Sequence, residues 1–516
     1  MDFYSFVINN YYFLLAIVFA FFFVFLYLSR KKLNFPKVSK KTLFILIAIF
    51  IVALALRLFY IDHIHQHFND EYSYKEVSNT LYSQQTFCEC LDPQAGVCDD
   101  CIPPIWAPGW SFVLSFTYLF NPGYNALFFV NSVLGALSIF LMFIFVYIVS
   151  KKESLALIAS LLLAVIPVHL KFSGSMTSEI SSLFFILLLF IFSYLYIKKN
   201  SFNLLALTAI TLIIVVQFRF EAVFFIPLTL WFIYLYDKNF KKTWKLITKN
   251  KKAKSLSIII LLLGVVCASF YLPHIVYTFN ANNFNGITSS DSQTLTFFQD
   301  NVPRNLKFFF EDLINPLFVT ILSLIGAWSL FKKNKPLAWF SSGFFLLFFF
   351  VYSLHGMGHF NIGWAERYTI IFFIPVALFF SYGFDFLLSI IKNKRAQLFF
   401  LIVLIIFLLY LPFKFSSYMF TLDSLQEEFL VLSDLDVDND CTIFANQHYF
   451  RFILNYDVYP ISFIPDIDSD CKILYSYDVI LDNDFNPSDL YPYLELVPLE
   501  NFKSDNEVNP FFRIIE

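Results

Sequence analysis

The sequence predicts an α-helical multi-pass membrane protein with about twelve transmembrane helices and a small α/β domain at its C-terminal end. Three observations lead there. Of 516 residues, 58% are hydrophobic and only 15% charged, and the mean hydropathy is +0.66, a balance that soluble domains do not have. The apolar residues gather in runs of about 20, the length that crosses a bilayer as a helix. Charge divides the chain: residues 417–516 hold 4 Lys/Arg against 20 Asp/Glu, and residues 1–416 hold 32 against 19. A basic membrane part therefore carries an acidic tail the size of one small domain, and a tail of that sign does not suit nucleic acid.

The runs predict spans near 11–29, 43–61, 124–149, 154–171, 178–197, 202–217, 222–236, 255–275, 312–331, 336–354, 368–391 and 396–413. The first is no cleavable signal peptide, because MDFYSFVINN has no positive charge and SRKK follows the apolar run instead of preceding it. Segments 30–42, 150–153, 198–201, 237–254, 332–335 and 392–395 hold 24 of the 36 Lys/Arg and read as cytoplasmic. Alternation then places the N-terminus, the segment around Asp70, loops 276–311 and 355–367, and the tail outside. No cytoplasmic segment contains a GxGxxG or P-loop pattern, so a cytoplasmic nucleotide is not the expected reactant.

Residues 1–42 form an N-terminal helix and its basic turn. The first outer loop, 57–110, is the centre of the chain. Arg57 lies about one turn inside the outer boundary. Asn69 is placed to cap a short amphipathic helix from Asp70, with Tyr74, Val77 and Leu81 at helical spacing. Asp70 and Glu71 would occupy its first turn, where the helix dipole favours carboxylate, displayed at the bilayer edge. Cys88, Cys90, Cys98 and Cys101 follow as C-x-C-x7-C-x2-C, a spacing that suits either two disulfides or a tetrahedral zinc clip. Cys441 and Cys471 make a third candidate pair in an oxidising compartment, and Cys267, inside a span, reads as core. Pro103, Pro104 and Pro108 end any helix and send the short run GWSFVLSFTYLF back toward the bilayer.

Further along, Glu179 opens a helix, QFRFEAVFF holds Arg219 and Glu221, and the Asn-rich loop 276–311 has the length of a lid. HGMGHFNIGWAERY brings His355, His359, Glu366 and Arg367 to the top of a helix. His63, His65 and His67 alternate, so a strand would put them on one face, where with Asp70 they would suit a divalent metal ion; helical backbone would scatter them. DLDVDND and DIDSD suggest calcium, but counted from Asp434 the EF-hand glycine position is Asn439 and the glutamate position Ala445, so the pattern fails. The tail, 416–516, alternates strand-like CTIFA, YPISF, CKILYSYDVIL and FFRIIE with helix-like SLQEEFLVL and HYFRFIL.

Taken together, an Arg late in a helix (Arg57), an outer-loop Asp70-Glu71 before a Tyr-containing helix, and a returning Pro103-Pro104 form one group of marks. Thr177 to Glu179 at a helix start, and Arg367-Tyr368 leading into a helix with Pro375 and Gly383, form another. In this order they resemble the GT-C membrane glycosyltransferases of the protein O-mannosyltransferase and aminoarabinose transferase group, over residues 43–415. The resemblance implies a GT-C fold and transfer of a sugar, mannose or another hexose, from a polyprenyl- or dolichyl-phosphate donor to a hydroxyl of a protein, lipid or glycan acceptor at the outer membrane face. It implies Asp70 as base with Glu71 beside it, Arg57, Arg219 and Arg367 with Glu179 as the donor-phosphate group, and inversion at the anomeric carbon. No cofactor follows from it beyond the divalent ion raised above. The N-terminal helix, the cysteine segment and the acidic tail lie outside the common core.

Each residue also has a plainer reading. Asp70 and Glu71 would decorate a surface helix, Arg57 would snorkel to headgroups, Arg219 and Glu221 would form a local ion pair, Glu179 would only start a helix, and Arg367 would mark the membrane boundary. A transporter or lipid flippase has the same hydropathy but calls for polar groups at the bilayer midplane. A non-enzymatic anchoring protein would need no convergence of Asp70 with the arginines.

Overall fold

The computed structural model describes residues 3–33, 37–61, 63, 68–90, 101–102, 104, 106–120, 125–237, 240–248, 251–281, 290–310, 315–354, 360, 365–416 and five strands between 441 and 515. The chain divides into two compact units, Met1–Thr421 and Leu422–Glu516.

The first unit is helical. Its elements are α1 (Phe3–Ser29), α2 (Lys40–Ala55), α3 (Phe68–Ser83), α4 (Pro108–Ser115), α5 (Asn125–Ser150), α6 (Glu153–Val165), α7 (Pro167–Ser173), α8 (Glu179–Lys199) and α9 (Phe202–Val216). They continue as α10 (Phe225–Tyr236), α11 (Lys241–Thr248), α12 (Lys251–Ala281), α13 (Ser290–Phe310), α14 (Leu317–Lys333), α15 (Lys335–Ser353), α16 (Phe373–Ile390) and α17 (Lys394–Lys414). Ser39 caps α2 by accepting from Thr42 N, and Glu153 at the start of α6 accepts from both Ser39 N and Ser39 Oγ at 2.8 Å. Two adjoining helix starts are thus tied together. Asn200, left-handed at φ 44°, ends α8.

Because hydrocarbon is as apolar as leucine, helices in a bilayer associate through close packing. Where α14 crosses α16, a Cβ on Gly326 would lie 1.7 Å from Phe379 O and one on Gly383 1.9 Å from Leu322 O, so only glycine permits this approach. Pro167 breaks the fourth predicted span into α6 and α7, bent by 58°, because proline has no N–H to continue the ladder.

Where described, the twelve apolar runs are helical in their interiors apart from the break at Ile166, but the span count differs from the expectation. Among the described residues seven helices are long and apolar enough to cross a membrane, or nine if each bent pair is one span. Helix α9, with 15 residues, is about 22 Å long, short of a hydrocarbon core of about 30 Å. The expected loop 276–311 is also largely helical, in the end of α12 and all of α13. Helix α3 starts at Phe68, so Asn69 lies inside it and is not its cap.

In the second unit β3 (Cys441–Ala445), β4 (Val458–Pro460), β5 (Cys471–Tyr475), β6 (Glu495–Pro498) and β7 (Phe511–Ile515) form one sheet in the order β4-β3-β5-β7-β6; β1 (Glu89–Cys90) and β2 (Cys101–Ile102) pair in the first unit. Strand β3 runs parallel to β4 and β5, with Cys441 opposite Cys471, and β7 is antiparallel to β5 and β6. The helix-like segments SLQEEFLVL and HYFRFIL lie outside the described residues.

Candidate active site

Helix α3 buries more than one stripe. Tyr74, Val77 and Leu81 face the core as their spacing predicts, but Asp70 (2% exposed) and Glu71 (0%) are buried as well. The two carboxylates are thus enclosed rather than displayed at a surface. They separate at once. Glu71 Oε1 accepts the backbone N–H of Met176 at 2.7 Å, in the turn between α7 and α8. That turn is held by Asn131 of α5, whose Nδ2 donates to Ser175 O (2.8 Å) and Thr177 O (2.6 Å), and by Tyr74, whose hydroxyl donates to Ser178 Oγ at 3.0 Å.

Asp70 instead enters a ladder of alternating charge. Its Oδ2 pairs with Arg367 Nη1. Arg367 Nε lies 3.4 Å from Glu179 Oε1, which also pairs with Arg219 Nη1. Arg219 Nε pairs with Glu221, whose Oε1 accepts from Tyr352 at 2.9 Å. Tyr368 lies between the guanidiniums, its ring centroid 5.3 Å from Arg219 Cζ and 5.4 Å from Arg367 Cζ, and it stacks on Tyr352 with centroids 5.0 Å apart. Beside the ladder, Lys171 of α7 donates to Glu366 at 3.0 Å.

These residues come from the start of α3, the start of α8, the segment after α9, the end of α15 and the 3₁₀ turn Ala365–Phe372. All meet at one end of the helical unit. Helix α8, 21 residues long, carries Glu179 at its first residue and Lys198 and Lys199 as its last two, so the ladder lies about 30 Å from that basic turn.

Burial alone would weaken the charge of Arg219, and Glu221 and Glu179 more than offset it, so it stays firmly protonated. Burial, then Asp70 and Glu179, push the Tyr74 hydroxyl above its ordinary value, so it serves as a donor. Of the predicted residues, Asp70, Glu179, Arg219 and Arg367 come together, Glu71 lies one hydrogen bond away, and Arg57 does not join them. The pairing of Arg219 with Glu221 follows the plainer reading, and Glu179 extends it. Tyr352 and Lys171 escaped sequence reasoning. Lys171 had a signal: it is a lysine within the apolar run 154–171, and an intramembrane charge is a functional candidate by default.

Cys88 is disulfide-bonded, which withdraws it from any zinc clip, and Cys90 stands in register with Cys101 across β1 and β2. Cys98 lies outside the described residues. Cys267 is a buried thiol. His63 Nε2 lies 3.0 Å from Ser132 Oγ, while His65 and His67 fall outside the described residues. Among the described residues no three His, Cys, Asp or Glu side chains gather as a metal site requires.

The chain's sequence matches no protein-family model, and no curated protein is similar to it. Its fold is that of solved GT-C membrane proteins. ArnT from Cupriavidus metallidurans bound to undecaprenyl phosphate superposes with a TM-score of 0.57 at 11% identity, covering 92% of this chain and 98% of that one. The apo state of the same protein gives 0.54 at 11%, covering 92% and 97%. The apo oligosaccharyltransferase of Archaeoglobus fulgidus gives 0.50 at 11%, covering 82% of this chain; the chain spans 65% of that protein's length.

Proposed function

We propose that this membrane protein is a glycosyltransferase that moves a sugar, mannose or another hexose, from a polyprenyl-phosphate donor to an acceptor hydroxyl on the extracytoplasmic face, inverting the anomeric centre. The buried ladder Asp70–Arg367–Glu179–Arg219–Glu221 carries the reading. A buried ion pair seldom stabilises more than an apolar pair of equal volume. A bundle needing only packing would fill this place with leucine. Convergence of Asp70 on Arg367 is also what a non-enzymatic anchor does not require.

The chemistry follows from the groups present. The acceptor oxygen attacks the anomeric carbon as its proton passes to Asp70, on the face opposite the leaving group. The bond from that carbon to the phosphate oxygen breaks, and the electron pair leaves with the polyprenyl phosphate. Arginine has five N–H donors, so Arg367 and Arg219, already oriented by carboxylates, still have donors for a phosphate and stabilise the charge that develops on it. Likeness of fold to a protein solved with undecaprenyl phosphate supports a lipid-phosphate donor. The extracytoplasmic side is supported by the basic turns at the opposite end of the unit.

The test is transfer of radiolabelled sugar from polyprenyl-phosphate mannose and polyprenyl-phosphate glucose to endogenous acceptors in membranes containing the protein. Label in protein, lipid or glycan, with inverted anomeric configuration, is expected. Absence of transfer from every lipid-linked donor to varied acceptors, with intact protein, would reject the reading in favour of transport.

A further inference from the structure

We infer that Arg57 is a positioning residue: its guanidinium fixes the bend between α6 and α7 and so holds the turn 174–178 in place against Glu71, beside the base. The inference rests on the transferase reading of the site for its catalytic consequence, but not for its structural one.

Arg57 is fully buried, at 0% exposure, in the π-helical turn Leu56–Tyr60 that ends α2. Among the described residues no carboxylate is a partner of Arg57. Its donors go to Ala53 O (Nη1, 2.9 Å), Ala164 O (Nη1, 3.2 Å), Ser173 Oγ (Nε, 3.2 Å) and His169 Nδ1 (Nη2, 2.6 Å). A guanidinium only donates, so His169 Nδ1 is the acceptor. Two of these acceptors lie at helix ends. Ala164 is in the last turn of α6, whose final carbonyls lack intrahelical donors, and Ser173 is the last residue of α7. One planar fork thus spans both sides of the break at Pro167, a geometry that lysine does not supply.

The neighbouring helix is shaped to this fork. On α5 a Cβ at Gly135 would lie 2.6 Å from Ser173 Oγ and 3.0 Å from Arg57 Nε, and Ser132 Oγ donates to Ser173 O at 2.9 Å. From Ser173 the chain passes directly into the turn whose Met176 N–H binds Glu71 and whose next residue starts α8 with Glu179. Lys171, on the helix that Arg57 braces, reaches Glu366, the neighbour of Arg367. Four of the five N–H donors of Arg57 are taken by backbone, hydroxyl and imidazole acceptors, whereas Arg219 and Arg367 are held by the carboxylates of the ladder.

Two variants test this: Arg57→Gln, which removes the fork, and Gly135→Ala, which crowds it while leaving the charge. Amide hydrogen exchange is measured in detergent on the whole chain. Faster exchange confined to residues 165–178 is expected in both, with α1 and α14 unchanged. In the transfer assay kcat is expected to fall roughly 100-fold, the scale on which a displacement of about 1 Å acts, with KM for the lipid-linked sugar unchanged. Unchanged exchange at 165–178, or loosening spread over every helix, overturns the positioning role. So does a rise in donor KM that accounts for the whole loss, which would make Arg57 a phosphate ligand. Should the wild-type protein transfer no sugar, the transferase reading fails and the exchange measurement alone decides the positioning role.

Discussion

A buried carboxylate beside a buried guanidinium adds little over an apolar pair, but removing one partner strands the other and costs about 3–5 kcal/mol. Arg367→Gln is therefore expected to destabilise the protein by about that amount, because Asp70 is only 2% exposed. The double variant Asp70→Asn/Arg367→Gln should recover much of the loss while remaining inactive. Denaturant unfolding of the two singles and the double checks this, and additive losses would mean that the pair is not coupled. At the far end of the ladder, Tyr352→Phe removes one hydrogen bond to the Glu221 carboxylate and should cost about 1.5–3 kcal/mol, read from the same unfolding curves. The residues of the ladder were legible singly, as charges at the ends of apolar runs. Their pairing was not: 297 positions separate Asp70 from Arg367, and charge alone names no partner. Arg57 looked the same as Arg219 in sequence, each an arginine at a helix end, and only its enclosure by Ala53, Ala164, His169 and Ser173 distinguishes it.

At the scale of elements, the crossing of α14 with α16 depends on two glycines that admit no side chain without moving backbone. Gly383→Ala should cost about 1–3 kcal/mol through overpacking and lower the melting temperature. Gly264→Ala serves as the control, since a Cβ there meets nothing nearer than 3.7 Å. Spacing revealed which side of α3 faces the core, but not that its other side is buried too, because burial there comes from α4 and the turn 174–178, elements distant in sequence. The fourth apolar run reads as one span, and Pro167 breaks it. The size of the bend was not legible, since the 58° angle depends on what packs against both halves. Runs of about 20 apolar residues located the helices well, and among the described residues three of them, in α9, α12 and α14, fall short of the length and apolarity of a clear span.

At the scale of the molecule, one end gathers basic turns and the other the charge ladder, an arrangement already visible in the distribution of Lys and Arg. It predicts sidedness. With a membrane-impermeant thiol reagent on intact cells, cysteine placed at the exposed Ser83 should be labelled and cysteine at Asn393, in a basic turn, should not; Cys267, a buried thiol, contributes no background. The reverse pattern would invert the orientation and move the reaction to the cytoplasmic face. The most direct measurement is the rate of sugar transfer from a polyprenyl-phosphate donor by wild-type protein and by Asp70→Asn, at equal amounts of folded protein in the membrane. Loss of a general base is worth about 10²- to 10⁴-fold, so transfer by the variant should fall by at least about 100-fold. A variant that transfers sugar at the wild-type rate would contradict the role of Asp70 at the centre of the ladder.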